Sequence, residues 1–281
     1  MVGPALLAAI ALHSPIACEL PAGWSQIQAR KPRFVIFGET HGTRESPELV
    51  ASIACALSKQ GKRLLVAVEL GAETDVQLQR LWARPSAGFR QAVISQLPCF
   101  AGRKDGVGSE AMLDLIEELH ALARSGRKID IVAFSGARDV DQAQRWSKLP
   151  WQAAHEAEQA ENISEAADRK EYSRVLVLAG NAHAQKQLID ASEYKYEPMA
   201  MRLAKAGPIV SLIETYATGT MWNCVAKVCE RRETSGSPVR PMTSVALWTS
   251  PQHDWLAGYD GYYWFPVVHA SPPASDGNSN S

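Results

Sequence analysis

Short, nearly continuous apolar runs alternate with amphipathic stretches along this chain. Four runs rich in β-branched residues are typical of strands buried on both faces of a sheet, and they predict strands at 33–37, 63–70, 128–135 and 174–179. Two later strands are predicted at 209–213 and 243–248. Helices are predicted between the strands at 45–60, 74–82, 88–96, 109–125, 151–172 and 184–189; 45–60 and 109–125 are amphipathic, and 151–172 is mostly polar. This alternation predicts an α/β fold with a central parallel or mixed sheet, helices on both faces and helical insertions.

The chain has 281 residues, of which 46% are hydrophobic, and this favours one sizeable core over two domains. We expect the globular domain to span residues 23–270. Residues 231–241 are predicted to form an exposed loop, and the polar stretch 271–281 is predicted to be a disordered tail. With 29 Lys and Arg residues against 30 Asp and Glu residues, no basic surplus indicates a nucleic-acid partner.

Residues 1–22 are predicted to be a signal-like or anchor segment. The apolar run 5–12 is too short to span a bilayer, which needs about 20 residues, but its length suits the apolar part of a secretory signal. Cys18, which follows Ile-Ala, resembles a lipoprotein acylation site. We therefore expect a periplasmic or secreted protein, with lipid anchoring to the membrane as one variant. The alternative is an apolar segment that packs on the domain of a cytoplasmic protein.

The five cysteines contain no Cys-x-x-Cys pair, so a structural zinc site is not expected. Cys224 and Cys229 are close enough for a local disulfide across a turn, which is the pairing expected in an exported protein. A second pair, Cys55–Cys99, would leave Cys18 for lipidation or for removal with a signal. The alternative is five reduced cysteines in the cytosol.

The candidate chemistry lies at the carboxyl ends of the predicted strands, where ligands bind in sheets of this kind. The first strand leads into Glu39 and His41, the second ends at Glu69, and the fourth is followed by His183. Glu45 lies four residues after His41 and would share its face of a helix. These five residues are predicted to form one polar site.

Such a site suits hydrolysis, because neighbouring carboxylates raise the pKa of a carboxyl group towards neutral pH. The group then becomes a usable general base. Glu39, His41 and His183 could also hold a divalent metal such as Mn, Co or Zn and lower the pKa of its water. Each residue has a structural alternative: Glu69 as a solvated strand end, His183 as a helix cap, and Glu45 as a first-turn acid that favours the helix dipole.

Three further residues are candidates for contacts with a small-molecule or peptide substrate. Arg44 and Arg138 would bind an anionic substrate or pair with the carboxylates, and Asn181 lies beside His183 in the sequence. The other histidines considered lack a motif and are interpreted as surface or packing residues: His120, His155, His253 and His269.

Two of these motifs together resemble a known superfamily. Residues 38–45 read Gly-Glu-Thr-His-Gly-Thr-Arg-Glu, and residues 177–184 read Val-Leu-Ala-Gly-Asn-Ala-His-Ala. They are similar to the Gly-Glu-x-His and Gly-x-x-His elements of the erythromycin esterase/ChaN/TIKI (TraB-like) superfamily. Glu69, which ends Val-Ala-Val-Glu, matches the acidic residue that often closes the second strand in that group. The resemblance covers about residues 34–213.

The resemblance implies an α/β core whose site is made of these Glu and His residues, and it implies more than one activity. Some relatives cleave a macrolide lactone with a His-activated water and without metal, the TIKI-like branch resembles metal-dependent proteases, and the ChaN branch binds haem as a lipoprotein. Here one residue separates Glu39 from His41, where the esterases usually have two, and helix 151–172 begins without their arginines. These departures bring the chain closer to uncharacterised ChaN-like exported proteins.

Two functions from different classes follow. The leading hypothesis is a hydrolase of ester or peptide substrates, in which Glu39 or Glu69 is the base, directly or through His41. His183 would then stabilise the oxyanion or ligate a metal. The alternative is a ligand-binding protein without catalysis, with haem as the first ligand to test. Its candidate axial ligands are Tyr194, Tyr196, Met199 and Met201. A degenerate enzyme kept for protein interaction is a third hypothesis.

Overall fold

The predicted apolar strands form the centre of the molecule. The computed structural model describes residues 17–236, 239, 241–250 and 253–275. Its strands are β1 Phe34–Glu39, β2 Leu64–Gly71, β3 Ile129–Ser135, β4 Arg174–Gly180, β5 Ile189–Asp190, β6 Lys195–Tyr196, β7 Ile209–Val225, β8 Val228–Ser235, β9 Val245–Leu247 and β10 Gly261–Val268.

Eight of these strands build the main sheet of the described chain, in the order β3-β2-β4-β1-β7-β10-β9, with β8 paired to β7. The pairs from β3 through to β10 are parallel, whereas β9 and β8 run antiparallel to their neighbours. The prediction of an α/β fold with a central parallel or mixed sheet is confirmed, and the sheet is mostly parallel. Strands β5 and β6 form a separate antiparallel pair.

Helices cover both faces of the sheet. Their bounds are α1 Trp24–Ala29, α2 Glu45–Lys59, α3 Asp75–Trp82, α4 Phe89–Gln96, α5 Pro98–Ala101, α6 Glu110–Arg124, α7 Val140–Trp146, α8 Trp151–Asp168 and α9 Met199–Leu203. Because successive strand residues point to opposite faces, β1 contributes Val35 and Phe37 to a core shared with α2 and α6, and Phe34 and Ile36 to a second core shared with α8 and α9. The sheet is therefore buried on both sides.

Three predicted elements differ from the structure. Residues 184–189 form turns that lead into β5 rather than a helix. Residues 231–235, predicted as part of an exposed loop, belong to β8. Strand β7 is much longer than the predicted 209–213, because its second half, which is less buried than the first, pairs with β8 in a hairpin.

The two ends of the described chain pack on the domain. The backbone N–H of Ser271 donates to the carbonyl of Gly42, and the hydroxyl of Ser271 accepts from the backbone N–H of Ala111. Ala274 is 1% exposed and belongs to the core. The prediction of a disordered tail is therefore wrong for residues 271–275, while 276–281 lie outside the described residues. At the other end, Leu20 packs against the core, and residues 1–16 of the predicted signal-like segment lie outside the described residues.

Two disulfides join the cysteines, and one of them differs from the predicted pairing. Cys224–Cys229 closes the hairpin of β7 and β8, as predicted. Cys18 bonds to Cys55 on α2, so the pairing of Cys55 with Cys99 and the assignment of Cys18 as the unpaired lipidation site are both wrong. Cys99 stays a buried free thiol. Burial raises its pKa to about 12. The described residues contain no helix with the length and hydropathy to cross a bilayer.

Candidate active site

The two sequence motifs lie side by side at the carboxyl ends of β1 and β4. These strands are parallel neighbours, and their register pairs Glu39 with Gly180. Glu69 lies near the end of β2, the other neighbour of β4. Parallel strands present their carboxyl ends at one edge of a sheet, so Glu69 and both motifs meet at that edge.

Five side chains form an unbroken row in which carboxylates and imidazoles alternate, and we call it the His–Glu row. Its members, in order, are Glu39, His41, Glu69, His183 and Glu156. Oε1 of Glu39 lies 2.8 Å from Nδ1 of His41, and Nε2 of His41 lies 3.5 Å from Oε2 of Glu69. Oε1 of Glu69 lies 3.5 Å from Nε2 of His183, and Nδ1 of His183 lies 2.7 Å from Oε1 of Glu156. The two imidazoles thus face opposite oxygens of one carboxylate.

Backbone groups hold two of the carboxylates in place. The N–H of Gly180 donates to Oε2 of Glu69 at 2.6 Å. The N–H of Met199 donates to Oε2 of Glu156 at 2.7 Å, while Oε1 of Glu156 faces His183. Each carboxylate has one oxygen bonded to the backbone, which restrains its rotation and so fixes the direction from which it meets the imidazole.

The carboxylates of the row are buried, whereas both imidazoles reach solvent. Glu39, Glu69 and Glu156 are 3%, 7% and 3% exposed, and the side chains of His41 and His183 are 27% and 19% exposed. Burial by itself would lower the pKa of both imidazoles, but the neighbouring carboxylates outweigh it. They raise the pKa of His183 to about 10 and that of His41 well above its ordinary value. Burial would raise the pKa of Glu69, but the two imidazolium groups hold it well below its ordinary value.

His155, which the sequence predicts to be a surface or packing residue, lies beside the row. Its ring centroid is 5.8 Å from that of His183. The indole of Trp151 stacks on the imidazole of His155, with 5.6 Å between the ring centroids, and Trp151 is 74% exposed. Burial lowers the pKa of His155, and the charge on His183 lowers it further. The imidazole of His155 therefore lies between His183 and the exposed indole of Trp151.

Sequence reasoning misses two buried carboxyl groups at this edge of the sheet. Glu156 lies in a mostly polar helix, and no feature of the helical pattern distinguishes it from Glu158. Glu214 directly follows the predicted strand 209–213, so the strand-end rule that identifies Glu69 could have found it. Glu214 is 5% exposed, and its Oε2 accepts a 2.6 Å hydrogen bond from the backbone N–H of Thr40.

Two of the predicted site residues lie outside the row on the N-terminal turn of α2. Both oxygens of Glu45 accept from the backbone N–H of His269, and Oε1 lies 2.6 Å from Nδ1 of that histidine. Glu45 also lines a cavity of about 760 Å³ that is bounded mainly by α2 and α6. Arg44 is exposed, and its guanidinium lies 4.0 Å from Glu48. The structure therefore pairs Glu45 with His269 rather than with His41.

The other two predicted substrate contacts, Arg138 and Asn181, differ in whether their side chains are already paired within the protein. The guanidinium of Arg138 pairs with Glu161 at 3.3 Å and also with Glu165, which favours ion pairing within the fold over anion binding. Asn181 is exposed, and its backbone N–H donates to the carbonyl of Glu39 at 3.0 Å. Its role as a substrate contact stays a prediction.

The predicted metal ligands Glu39, His41 and His183 do not form a ligand set. Both ring nitrogens of each imidazole face carboxylate oxygens at 2.7–3.5 Å, so each nitrogen already has a partner within the row. Across the part of the chain that the structure describes, no group of three or more His, Cys, Asp or Glu side chains is arranged to hold a metal ion. Binding of Mn, Co or Zn at the row stays a prediction.

The candidate haem ligands lie around β6 and α9. Met199 is fully buried, so its sulfur cannot face an external ligand. The hydroxyl of Tyr194 donates to the side chain of Gln152, and its ring lies 6.0 Å from that of Tyr196. Met199 is thereby removed from the candidate axial ligands, and haem binding through the other residues stays a prediction.

Comparison with known proteins supports the fold. No protein-family model matches the chain, and the comparison with curated proteins finds no match. A succinoglycan biosynthesis protein superposes with a TM-score of 0.64 at 11% identity, over 92% of this chain and 95% of that one. A Bacillus cereus protein has a TM-score of 0.60 at 12% identity, over 89% and 92% of the two chains. A mutant of erythromycin esterase EreC in its open conformation has a TM-score of 0.56 at 10% identity, over 87% and 94%. The chain thus has the α/β fold of the erythromycin esterase group that its two motifs resemble.

Proposed function

We propose that the protein hydrolyses small-molecule esters at the His–Glu row. One observation carries the proposal: His41 and His183 face opposite oxygens of the buried Glu69 carboxylate, at 3.5 Å each. A shared carboxylate holds two imidazoles at a fixed separation, so that one can accept a proton while the other donates a hydrogen bond. The fold shared with erythromycin esterase supports a hydrolase.

His41 is the proposed general base. The carboxylate of Glu39 fixes Nδ1–H of the imidazole, so Nε2 is the nitrogen that exchanges protons. When Nε2 has lost its proton, it takes one from a water molecule as the water oxygen attacks the carbonyl carbon of the ester. The imidazolium that forms is stabilised by Glu69 and Glu39, the two carboxylates that raise the pKa of His41.

His183 is the proposed hydrogen-bond donor to the developing oxyanion. With a pKa raised to about 10, it is an imidazolium at neutral pH, and its Nε2–H can donate to the carbonyl oxygen as that oxygen becomes negative. The carbon–oxygen bond of the ester then breaks, and the alkoxide leaving group takes the proton held by His41. Glu156 holds Nδ1 of His183 and so keeps Nε2 directed into the site.

The test uses the full-length protein with a panel of alkyl and p-nitrophenyl esters and a panel of blocked peptides. Each is assayed with EDTA and with added Mn²⁺, Co²⁺ or Zn²⁺. Ester turnover that persists in EDTA supports the proposal. His41→Ala and His183→Ala should each lower kcat/KM by about 100-fold or more. The matched control, His253→Ala at an exposed histidine, should leave it unchanged.

Two results would contradict this assignment. Turnover that survives both His41→Ala and His183→Ala would remove the row from the mechanism. Turnover that appears only with an added metal would remove His41 as the base, because a metal-bound water would then be the nucleophile. Cleavage of peptides but not esters would keep the site and change the substrate class.

We also propose that the protein is exported, to the periplasm or the medium. The Cys18–Cys55 and Cys224–Cys229 disulfides support this, because disulfides persist mainly in oxidising compartments. Cell fractionation, with alkylation of the denatured protein and mass spectrometry, tests it. The expected result is a protein outside the cytoplasm in which Cys99 is alkylated and these four cysteines are not. Alkylation of all of them in a cytoplasmic fraction would overturn the proposal.

A further inference from the structure

Glu214 is a buried carboxyl group beside the active site that the proposed mechanism does not use. It lies on β7, opposite Tyr263 of β10, and directly follows Ile213, whose ladder partner is Gly38 of β1. Its side chain meets the turn that carries His41 between Glu39 and Glu69. Only 5% of Glu214 is exposed, so its hydrogen bonds must be made within the protein.

Two hydrogen-bond contacts join Glu214 to this turn, and a third lies within the turn itself. Oε2 of Glu214 accepts from the backbone N–H of Thr40 at 2.6 Å, and Oε1 lies 3.2 Å from Oγ1 of Thr43. The same Oγ1 also lies 3.0 Å from the carbonyl oxygen of Thr40. The contacts therefore form a closed ring that contains both the N–H and the C=O of Thr40.

If Glu214 is ionised, two acceptors in the ring, Oε1 of Glu214 and the carbonyl oxygen of Thr40, compete for one hydrogen atom. The hydroxyl of Thr43 has a single hydrogen, which it can donate either to Glu214 or to the carbonyl of Thr40. A protonated Glu214 removes the conflict, because its own O–H donates to Thr43 while the Thr43 hydroxyl donates to Thr40. Every donor and acceptor in the ring is then satisfied.

We propose that Glu214 is a positioning residue that holds the His41 turn as a neutral carboxylic acid, through the hydrogen-bond ring with Thr40 and Thr43. The neutral acid is chemically matched to this place, because it supplies one donor and one acceptor to two different residues of the turn. The positioning of His41 for catalysis rests on the proposed function, whereas the neutral state of Glu214 does not.

The charges around Glu214 agree with this state. Burial and the nearby carboxylate of Glu39 raise its pKa, the hydrogen bonds from Thr40, Thr43 and Ser46 lower it, and the net result is a pKa of about 8. The titratable groups that face it are Glu39 on β1 and Tyr263 on β10, and neither supplies a positive charge. Ionisation would place a second negative charge beside Glu39 and take the Thr43 hydrogen away from Thr40.

Glu214→Gln is the decisive variant, because a glutamine side chain keeps one donor and one acceptor but cannot ionise. A carboxyl whose pKa is higher in the folded chain than in the unfolded chain loses stability as pH rises between the two values, here from about 4.5 to about 8. The Tm of Glu214→Gln should match that of the wild type near pH 5. At pH 8 and above, the Tm of Glu214→Gln should exceed the wild-type Tm by roughly 5 °C. The control Glu193→Gln, at an exposed loop position, should give the same Tm difference at every pH.

Two further variants test whether the hydrogen bonds of the ring, rather than the volume of the Glu214 side chain, hold the turn. Glu214→Ala removes both hydrogen bonds, and Thr43→Val removes the link between Glu214 and the Thr40 carbonyl. Amide hydrogen exchange at Thr40 should speed up in both, and stay as in the wild type in Glu214→Gln. With an ester substrate, kcat at pH 7 should fall by about 10-fold in Glu214→Ala and be retained in Glu214→Gln.

The pH profile of ester hydrolysis adds a readout that a purely structural role would not change. The wild-type rate should fall above about pH 8, and Glu214→Gln should abolish that fall. A Tm of Glu214→Gln that is lower than the wild-type value at pH 8, or a difference independent of pH, would show that the carboxyl is ionised in the fold and overturn the proposal. If the wild type has no hydrolase activity, the Tm and hydrogen-exchange results still decide the state of Glu214.

Discussion

A Cβ atom on Gly180 would lie 2.8 Å from Nε2 of His41, closer than side chains approach one another in folded proteins. The glycine of the second motif thus leaves the space that the histidine of the first motif occupies. Its own N–H meanwhile bonds to Glu69, the carboxylate that His41 faces. Gly180 therefore serves the row in two ways: its N–H holds Glu69, and the absence of a Cβ leaves room for His41.

Gly180→Ala should displace the imidazole of His41 while leaving the fold intact. The new methyl group requires the imidazole of His41 to shift, and we expect kcat to fall by about 10- to 100-fold, because a displaced base loses alignment with its water. Steady-state kinetics and circular dichroism measure the two effects. Gly102→Ala is the matched control, since no atom lies within 4 Å of the added carbon there. Equal kinetics for the two variants would contradict the role assigned to Gly180.

Glu69→Gln should lower the pKa of both imidazoles, because it removes the negative charge that they share. NMR titration of the imidazole C–H protons should show the pKa of His183 falling from about 10, and kcat/KM should fall by about 100-fold. Glu45→Gln is the control, because Glu45 pairs with His269 outside the row. A loss of activity in Glu45→Gln as large as in Glu69→Gln would restore the prediction that Glu45 belongs to the catalytic set.

The rate of hydrolysis should rise with pH through the neutral range. His41 must lose its proton before it can act as a base, and the carboxylates of Glu69 and Glu39 keep that proton bound above the ordinary pKa of histidine. Glu39→Gln removes one of these carboxylates, so the rising limb should move to lower pH. A profile of kcat/KM between pH 5 and 10 measures the shift. A rising limb at the same pH in both proteins would mean that another group is the base.

Trp151→Ala should weaken substrate binding more than it slows the chemistry. The exposed indole stacks on His155, which in turn contacts His183, so it can pack against the part of a substrate that extends from the row. For an ester with an aromatic acyl group, KM should rise by about 3- to 10-fold with kcat nearly unchanged. Trp255→Ala, at another exposed indole, is the control. An unchanged KM in Trp151→Ala would place the substrate elsewhere.

The sheet and its polar edge were predictable because their causes are local or nearly so. Strands buried on both faces require uninterrupted apolar runs, so β1 to β4 are visible in the sequence within a few residues of their ends. The carboxyl ends of parallel strands meet at one edge whatever the details of packing, and this is enough to bring Glu69 to the two motifs. The hairpin of β7 and β8 was not visible in the sequence beyond residue 213, because the second half of β7 is less buried and is formed by pairing with β8.

The composition of the row was decided by contacts between distant segments. His183 and Glu156 are 27 residues apart, and their pairing depends on how α8 lies across the sheet, which no periodicity in that helix records. Cys18 bonds to Cys55 rather than leaving it for Cys99, because α5 carries Cys99 into the core. Glu45 has the spacing to join His41, yet His269, 224 residues away in the chain, binds it instead.

The α/β class could thus be read from the amino-acid order, as could the choice of Glu39, His41, Glu69 and His183 as candidate site residues at the strand ends. Hydrophobic periodicity and strand direction are properties of short segments, so they can be predicted from the linear sequence. The partner of each imidazole and the pKa shifts of the buried acids, by contrast, come from the folded arrangement of the chain. Pairing and pKa depend on distances and burial, and these are set by segments far apart in the chain.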